Sequence, residues 1–102
     1  MRAVLMRIAA DHPCGEGHFP GNPIVPGAVL LDEVLATIES ETGRPPTAWT
    51  VVAAKFLHPV RPGEELQLRF EATAAGDVRF ECSLGERAVV SGRAHATRGE
   101  SD

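Results

Sequence analysis

The sequence has no long apolar run, no excess of basic residues and little cysteine, and each shortage excludes a class of protein. No apolar run approaches the roughly 20 residues that a membrane-spanning helix needs, so we expect no membrane association. Ten Lys and Arg residues against fourteen Asp and Glu residues give a net charge of −4. That balance argues against a nucleic-acid-binding protein with a broad basic face.

The two cysteines, Cys14 and Cys82, lie far apart in the chain and form no pair with metal-ligand spacing. We expect both to be free thiols that pack in a reducing compartment. The apolar part of the amino-terminal residues 1–13 is too short for a signal peptide. The sequence therefore predicts a cytoplasmic protein that uses no metal and no cofactor.

The length and composition are those of a small globular protein. The chain has 102 residues, of which 43% are hydrophobic and 24% charged, so disorder is not expected. We find no internal repeat and no linker, and we expect one domain over residues 1–102 with a frayed polar tail at 98–102. A chain of this size buries a limited fraction of its surface, and oligomerisation is one remedy.

Alternation of apolar and polar residues predicts a set of antiparallel strands. In residues 66–72 and 78–84 this period-two pattern lies on either side of turn residues 75–77, which is typical of a hairpin. The first strand is expected to turn Val4, Met6 and Ile8 to one face. The predicted strands cover residues 2–9, 49–57, 66–72, 78–84 and 88–96.

One long helix is predicted over about residues 26–42, with Gly43 as its carboxyl-terminal cap. Its first half is apolar nearly all round, so we expect it to be buried. The expected core stripe is Leu31, Val34, Leu35 and Ile38, and the expected polar stripe is Glu33, Thr37, Ser40 and Glu41. The fold class is therefore α+β, with one long central helix wrapped by a curved antiparallel sheet of about five strands.

A stiff loop precedes this helix. Residues 18–27 read HFPGNPIVPG, in which three prolines fix the backbone around His18. Such a loop has lost its conformational entropy in advance, which helps to hold a side chain still. Gly27 lets a ligand approach the free N–H groups at the helix amino terminus, which suit a carbonyl or a developing oxyanion.

Two acids, Asp32 and Glu33, follow in the helix, and the helical spacing predicts different surroundings for them. Asp32 shares its surface with Ala28, Val29 and Ala36, which predicts an apolar setting, although a position at the edge of the stripe that reaches solvent stays open. Glu33 is expected to be solvated. A histidine, an acid in an apolar wall and a helix amino terminus together suit proton transfer beside a carbonyl group.

The stretch HFPGNPIVPGAVLLD, residues 18–32, resembles the active-site signature of the β-hydroxyacyl-acyl-carrier-protein dehydratases. That family reads roughly H-F-P-x-x-P-x-x-P-G, followed after four residues by Asp or Glu. The later segment KFLHPVRPGEEL is also similar to the family. Every fixed position of the signature is matched, by His18, Phe19, Pro20, Pro23, Pro26, Gly27 and Asp32.

The resemblance implies a hot-dog fold and a dimer whose two sheets join edge to edge, with His18 of one subunit facing Asp32 of the other. It implies that His18 takes the α-proton of a 3-hydroxyacyl thioester on acyl carrier protein. Asp32 would assist loss of the 3-hydroxyl as water, and the Gly27 N–H would polarise the carbonyl. The acyl chain would pass Phe19, Val29 and Leu30. A homodimer is expected, and a higher or hetero-oligomer stays open.

The chain departs from the family pattern in two respects. Ala36 stands where the family usually has a glutamine four residues after its acid, and the chain is shorter than typical members at its amino terminus. Asp in place of Glu is similar to the branch that also isomerises its product and to dehydratase-like proteins of polyene-pigment clusters. Two alternatives remain: a catalytically weak acyl-binding or scaffold subunit of a hetero-oligomeric dehydratase, and a hot-dog thioesterase.

The remaining histidines are expected to carry no chemistry. His12 and His58 each precede a proline and are expected to be turn residues. His95 lies in a predicted strand of unknown facing. Scattered arginines such as Arg44 and Arg98 are expected to be solvated surface, although arginines of this kind can contact an acidic carrier protein.

Overall fold

A computed structural model describes residues 1–9, 24–74 and 76–98 of the chain. Within these residues one helix and five strands form, so the predicted α+β class is confirmed. The elements are β1 (Arg2–Arg7), α1 (Gly27–Thr42), β2 (Ala48–Phe56), β3 (Glu65–Ala74), β4 (Asp77–Leu84) and β5 (Arg87–Thr97).

The strands form one antiparallel sheet in the order β1-β3-β4-β5-β2. Strands β3, β4 and β5 are consecutive in sequence and neighbours in space, as hairpin connections require. Strands β1 and β2 lie at opposite edges, so the chain between them, which includes α1, passes from one edge of the sheet to the other.

The core lies between one face of the sheet and one side of α1. The period-two pattern puts Leu66, Leu68 and Phe70 of β3 in this core, each at most 3% exposed. From the helix, the predicted residues Val34, Leu35 and Ile38 are buried as expected. Leu31 is only half-buried, and Leu30 takes its place in the core. Burying each such side chain contributes about 1.5–3 kcal/mol.

The carboxyl terminus of α1 ends as the sequence predicts. Gly43 has a φ of 71°, in the left-handed region that glycine tolerates without a steric penalty. Its N–H donates to the carbonyl oxygen of Glu39 at 2.8 Å, which satisfies one of the free carbonyls at the helix end.

Strand β2 leaves apolar side chains exposed at the edge of the sheet. Val51, Val52, Phe56 and the following Leu57 are 39–50% exposed, and a register shift falls between Val51 and Ala53. An unpaired, apolar strand edge is a template for pairing with another chain. Across the described ranges, no helix has the length and apolar character needed to cross a membrane.

Candidate functional site

At the amino terminus of α1, within the described ranges, the first backbone N–H groups have no hydrogen-bond partner. The first intrahelical bond runs from the N–H of Leu30 to the carbonyl oxygen of Pro26 at 3.0 Å, so the N–H groups of Gly27, Ala28 and Val29 have no partner within the helix. Among the residues that the structure describes, no side chain caps this end. The helix dipole adds partial positive charge there, so this terminus can bind a carbonyl oxygen that gains negative charge.

A cavity of about 320 Å³ opens beside these donors. Its wall is formed by the start of α1 and by the segment that follows β2. The two parts are held together because the N–H of Val25 donates to the carbonyl oxygen of Val60 at 2.7 Å. The cavity is lined by Val25, Gly27, Leu30, Phe56, His58, Pro59 and Val60.

The ring of Phe56 lies directly against the backbone of Gly27. A Cβ atom at position 27 would lie 2.9 Å from Cζ of Phe56, which is shorter than a van der Waals contact between carbon atoms. Phe56 is itself 50% exposed. The glycine therefore gives the aromatic ring room beside the helix amino terminus, and the ring forms one wall of the approach to the free N–H groups.

Asp32 is exposed in the single chain, so the prediction of an apolar, buried setting within the chain's own fold is wrong. Each residue advances the helix by about 100°, so Asp32 lies about 200° from both Leu30 and Val34, which are buried. Asp32 lies instead on an exposed stripe with Ala28 and Ala36. The alternative that the spacing left open, a position that reaches solvent, is correct in its exposure, but Asp32 lies nearly opposite the buried residues and not at the edge of their stripe.

Glu33 and Thr37 are half-buried, so the predicted polar stripe is not the most exposed side of the helix. The hydroxyl of Thr37 donates to the backbone carbonyl oxygen of Glu33 at 2.8 Å, within the helix. The predicted environments of the two neighbouring acids are therefore the reverse of the observed ones. An almost wholly apolar helix surface does not reveal from sequence which side faces the sheet.

Of the other predicted site residues, the structure describes two and leaves two outside the described ranges. Leu30 is 3% exposed and lines the cavity, and Val29 is half-buried and packs against the core. His18 and Phe19 lie outside the described residues. Their placement beside Asp32 and Gly27 therefore stays a prediction.

The structure adds Phe56 and His58 to the site, which sequence reasoning missed. Nδ1 of His58 lies 3.5 Å from a guanidinium nitrogen of Arg87. The sequence predicts only a turn residue at His58. The available signal was the segment KFLHPV, which carries both residues and resembles the family.

Cys82 takes no part in this chemistry. Its free thiol is 1% exposed, and burial raises its pKa from 9.0 to about 11. It is therefore protonated near neutral pH and is a poor nucleophile. Cys14 lies outside the described residues. Within the described part of the chain, no three His, Cys, Asp or Glu side chains cluster as metal ligands would.

Comparison of the chain with known proteins identifies its relatives. A 3-hydroxyacyl-[acyl-carrier-protein] dehydratase FabZ of Alkaliphilus metalliredigens is 37% identical over 85% of this chain and 67% of its own length. The FabZ protein of a Caulobacter species is 34% identical over 72% of this chain and 51% of its own. The chain thus spans about half to two thirds of the length of these curated relatives.

Solved structures share the fold. An uncharacterised protein from Erwinia carotovora subsp. atroseptica superposes with a TM-score of 0.75 at 26% identity, covering 94% of this chain and 82% of its own. The dehydratase heterocomplex ApeI:P from Xenorhabdus doucetiae gives a TM-score of 0.74 at 23% identity, covering 94% and 86%. These neighbours confirm the predicted hot-dog fold.

A family model of ApeI-like dehydratases, described as ApeI dehydratase, matches residues 2–93. This match covers β1, α1, the cavity at the helix amino terminus and most of β5. The chain therefore belongs to the ApeI-like dehydratase family.

Proposed function

We propose that the protein dehydrates 3-hydroxyacyl thioesters carried on acyl carrier protein to trans-2-enoyl thioesters. The observation that carries this proposal is the amino terminus of α1, which no side chain of the described residues caps, where Gly27 opens into a cavity and Asp32 follows on the same helix. Free N–H donors beside a cavity suit a thioester carbonyl, and a carboxyl group slightly more than one turn away suits a leaving hydroxyl.

In the proposed reaction His18 removes the proton from the α-carbon of the substrate. Negative charge builds on the thioester oxygen, where the N–H of Gly27 stabilises it. The electron pair then forms the double bond between the α- and β-carbons as the bond from the β-carbon to its hydroxyl breaks. Asp32 donates a proton to that hydroxyl, which leaves as water.

A second subunit is needed to complete this site. Asp32 is exposed in the single chain, on a stripe with Ala28 and Ala36, whereas an acid that donates a proton to a leaving hydroxyl group works best in a site from which water is excluded. A subunit that covers this stripe would exclude water and bring its own His18 to the acid. The exposed apolar edge of β2 offers a place for two sheets to join.

The relatives support the choice of substrate. The FabZ proteins are dehydratases of 3-hydroxyacyl groups on acyl carrier protein. We infer the same substrate class for this chain, with a homodimer as the minimal assembly.

A second candidate is a subunit of a hetero-oligomeric dehydratase that binds acyl groups and depends on another subunit for full activity. The structural neighbour from Xenorhabdus doucetiae is a dehydratase heterocomplex. The exposed residues of β2 and the stripe around Asp32 would pack equally well against a different hot-dog chain.

Mass spectrometry of carrier-bound 3-hydroxyacyl substrates of several chain lengths tests the proposal. We expect wild type to lose water from the acyl group, and His18→Ala and Asp32→Asn each to slow this by about 10²–10⁴-fold. Glu33→Gln, which changes the neighbouring half-buried acid, is the matched control and is expected to stay within about twofold of wild type.

Three results would contradict the proposal as stated. Activity only in a mixture with a second hot-dog subunit, and unaffected by His18→Ala, would establish the hetero-oligomeric candidate. Release of free carrier thiol with no enoyl product would indicate a thioesterase. Absence of an enoyl product from every substrate, with and without a partner subunit, would exclude the dehydratase activity.

A further inference from the structure

A second cavity, of about 390 Å³, lies at the opposite end of α1 from Gly27. The 15 residue steps from Gly27 to Thr42 correspond to about 22 Å along the helix axis. The lining is mainly apolar, and its principal apolar residues are Ile38, Trp49, Ala72, Val78 and Ala96. None of these residues lines the cavity beside Gly27.

This space exists because the side chains at successive core positions become smaller towards one end of the sheet. Along β3 the core positions are occupied by Leu66, Leu68 and Phe70, and the next position of the same period is Ala72. In β5 the corresponding positions near the cavity are Ala94 and Ala96. Ala94 and Ala96 are buried, whereas Ala72 is exposed at the cavity.

Two arginines stand at the mouth of this cavity, Arg44 and Arg98. A guanidinium nitrogen of Arg98 donates to the backbone carbonyl oxygen of Arg44 at 2.7 Å, which places the two residues together. Among the residues that the structure describes, neither guanidinium group takes part in an ion pair.

The other polar groups at this cavity already have partners within the chain. The carboxylate of Asp77 lies 2.8 Å from Nδ1 of His95, and the indole N–H of Trp49 donates to the carboxylate of Glu39 at 2.7 Å. The cavity thus combines an apolar interior with positive charge at its mouth.

We propose that this cavity binds the carboxylate of a medium-chain fatty acid, with the apolar chain inside and the carboxylate between Arg44 and Arg98. The volume is within the usual range of about 300–1,000 Å³ for small-molecule sites, and guanidinium groups form strong charge-assisted bonds to carboxylates. The proposal does not rest on the proposed dehydratase activity, since it concerns other residues at the other end of the helix.

Fluorescence of Trp49 provides a direct test, because it is the chain's single tryptophan and it lines the cavity. Titration of the full chain with decanoate, below the concentration at which micelles form, is expected to change the emission in a saturable way. Acetate, which lacks the chain, and decylamine, which carries the opposite charge, are expected to give no saturable change.

Two variants test the two parts of the site. Ala72→Leu places a larger side chain at an exposed cavity position, and Arg98→Gln removes one positive charge. Each is expected to weaken decanoate binding at least about tenfold. Phe56→Ala, in the cavity beside Gly27, is the matched control and is expected to leave the decanoate affinity unchanged.

The proposal is overturned if decanoate gives no saturable change, or if decylamine binds as tightly as decanoate. It is also overturned if Phe56→Ala weakens binding while Ala72→Leu does not, because the fatty acid would then occupy the cavity beside Gly27. Circular dichroism of each variant separates loss of binding from loss of folding. None of these outcomes alters the assay of dehydration described above.

Discussion

The two ends of α1 differ in how their backbone groups are satisfied. At the carboxyl end the N–H of Gly43 donates to Glu39, and the hydroxyl of Thr42 donates to the carbonyl oxygen of Ile38 at 2.9 Å. The side chain of Glu39 in turn accepts from the indole of Trp49. At the amino end, within the described residues, no side chain bonds to the first N–H groups, and Gly27 lies open to a cavity.

This difference separates stability from function along a single helix. Hydrogen bonds within the chain hold the carboxyl end against β2, and each contributes about 0.5–1.5 kcal/mol, or more when one partner is charged. At the amino end the donors have no partner among the residues that the structure describes. This costs stability but keeps the donors available to a substrate. Substitutions at the two ends should therefore affect different measurements.

The largest effect is expected from Gly27→Val, which would fill the space between the helix amino terminus and Phe56. The added side chain would block the approach to the free N–H groups, so we expect about a 100-fold loss of kcat/KM for carrier-bound substrate. The unfolding midpoint in urea should move much less, because Phe56 is half exposed and can swing away.

The double variant Gly27→Ala with Phe56→Ala sharpens this prediction. If crowding against the ring causes the loss, removing the ring should restore part of the activity that Gly27→Ala alone loses. If it restores none, the glycine is needed by the substrate itself. A Gly27→Val protein with full activity would show that this end of the helix is not the site.

An intermediate effect is expected from Trp49→Phe at the other end. The substitution removes the donor to Glu39 and leaves that half-buried carboxylate without its partner. We expect a loss of about 1.5–3 kcal/mol in the free energy of unfolding, measured by urea denaturation followed by circular dichroism. Glu39→Gln keeps an acceptor oxygen and should cost less, while the rate of dehydration should stay unchanged in both variants.

The smallest effect is expected from Gly43→Ala, because the positive φ at this position disfavours a residue with a Cβ atom. A loss of about 1 kcal/mol of stability is expected, and Gly43→Asn should lose less because asparagine adopts this conformation more readily. Thermal unfolding of the three proteins measures the difference. Equal stability of the alanine variant and wild type would contradict the assigned cap.

Most of the fold could be predicted because local periodicity decides it. The helix is expected from residue 26 to 42 and runs over Gly27–Thr42, and the hairpin strands begin and end within two residues of their predicted bounds. Successive side chains of a strand must point to opposite faces of the sheet, and a glycine that follows the last turn commonly ends a helix. These rules act over a few residues and need no knowledge of what packs against them.

The candidate site was predictable only in part. The signature located Gly27 and Asp32, but it did not reveal that Asp32 faces away from the sheet. Phe56 and His58 were missed as site residues because they reach the helix amino terminus only through the pairing of β2 with β5 and the bond between Val25 and Val60. Such contacts join residues about 30 positions apart, which no local pattern records.

The sequence by itself thus determined the secondary structure, the buried faces of β1, β3 and β4 and the motif that places the chain in its family. Only the tertiary structure decided which side of α1 meets the sheet, which residues line the two cavities and that Arg44 and Arg98 stand together. The physical reason is that hydrophobic burial does not depend on direction. A helix with apolar residues nearly all round acquires its orientation only when the sheet packs against it.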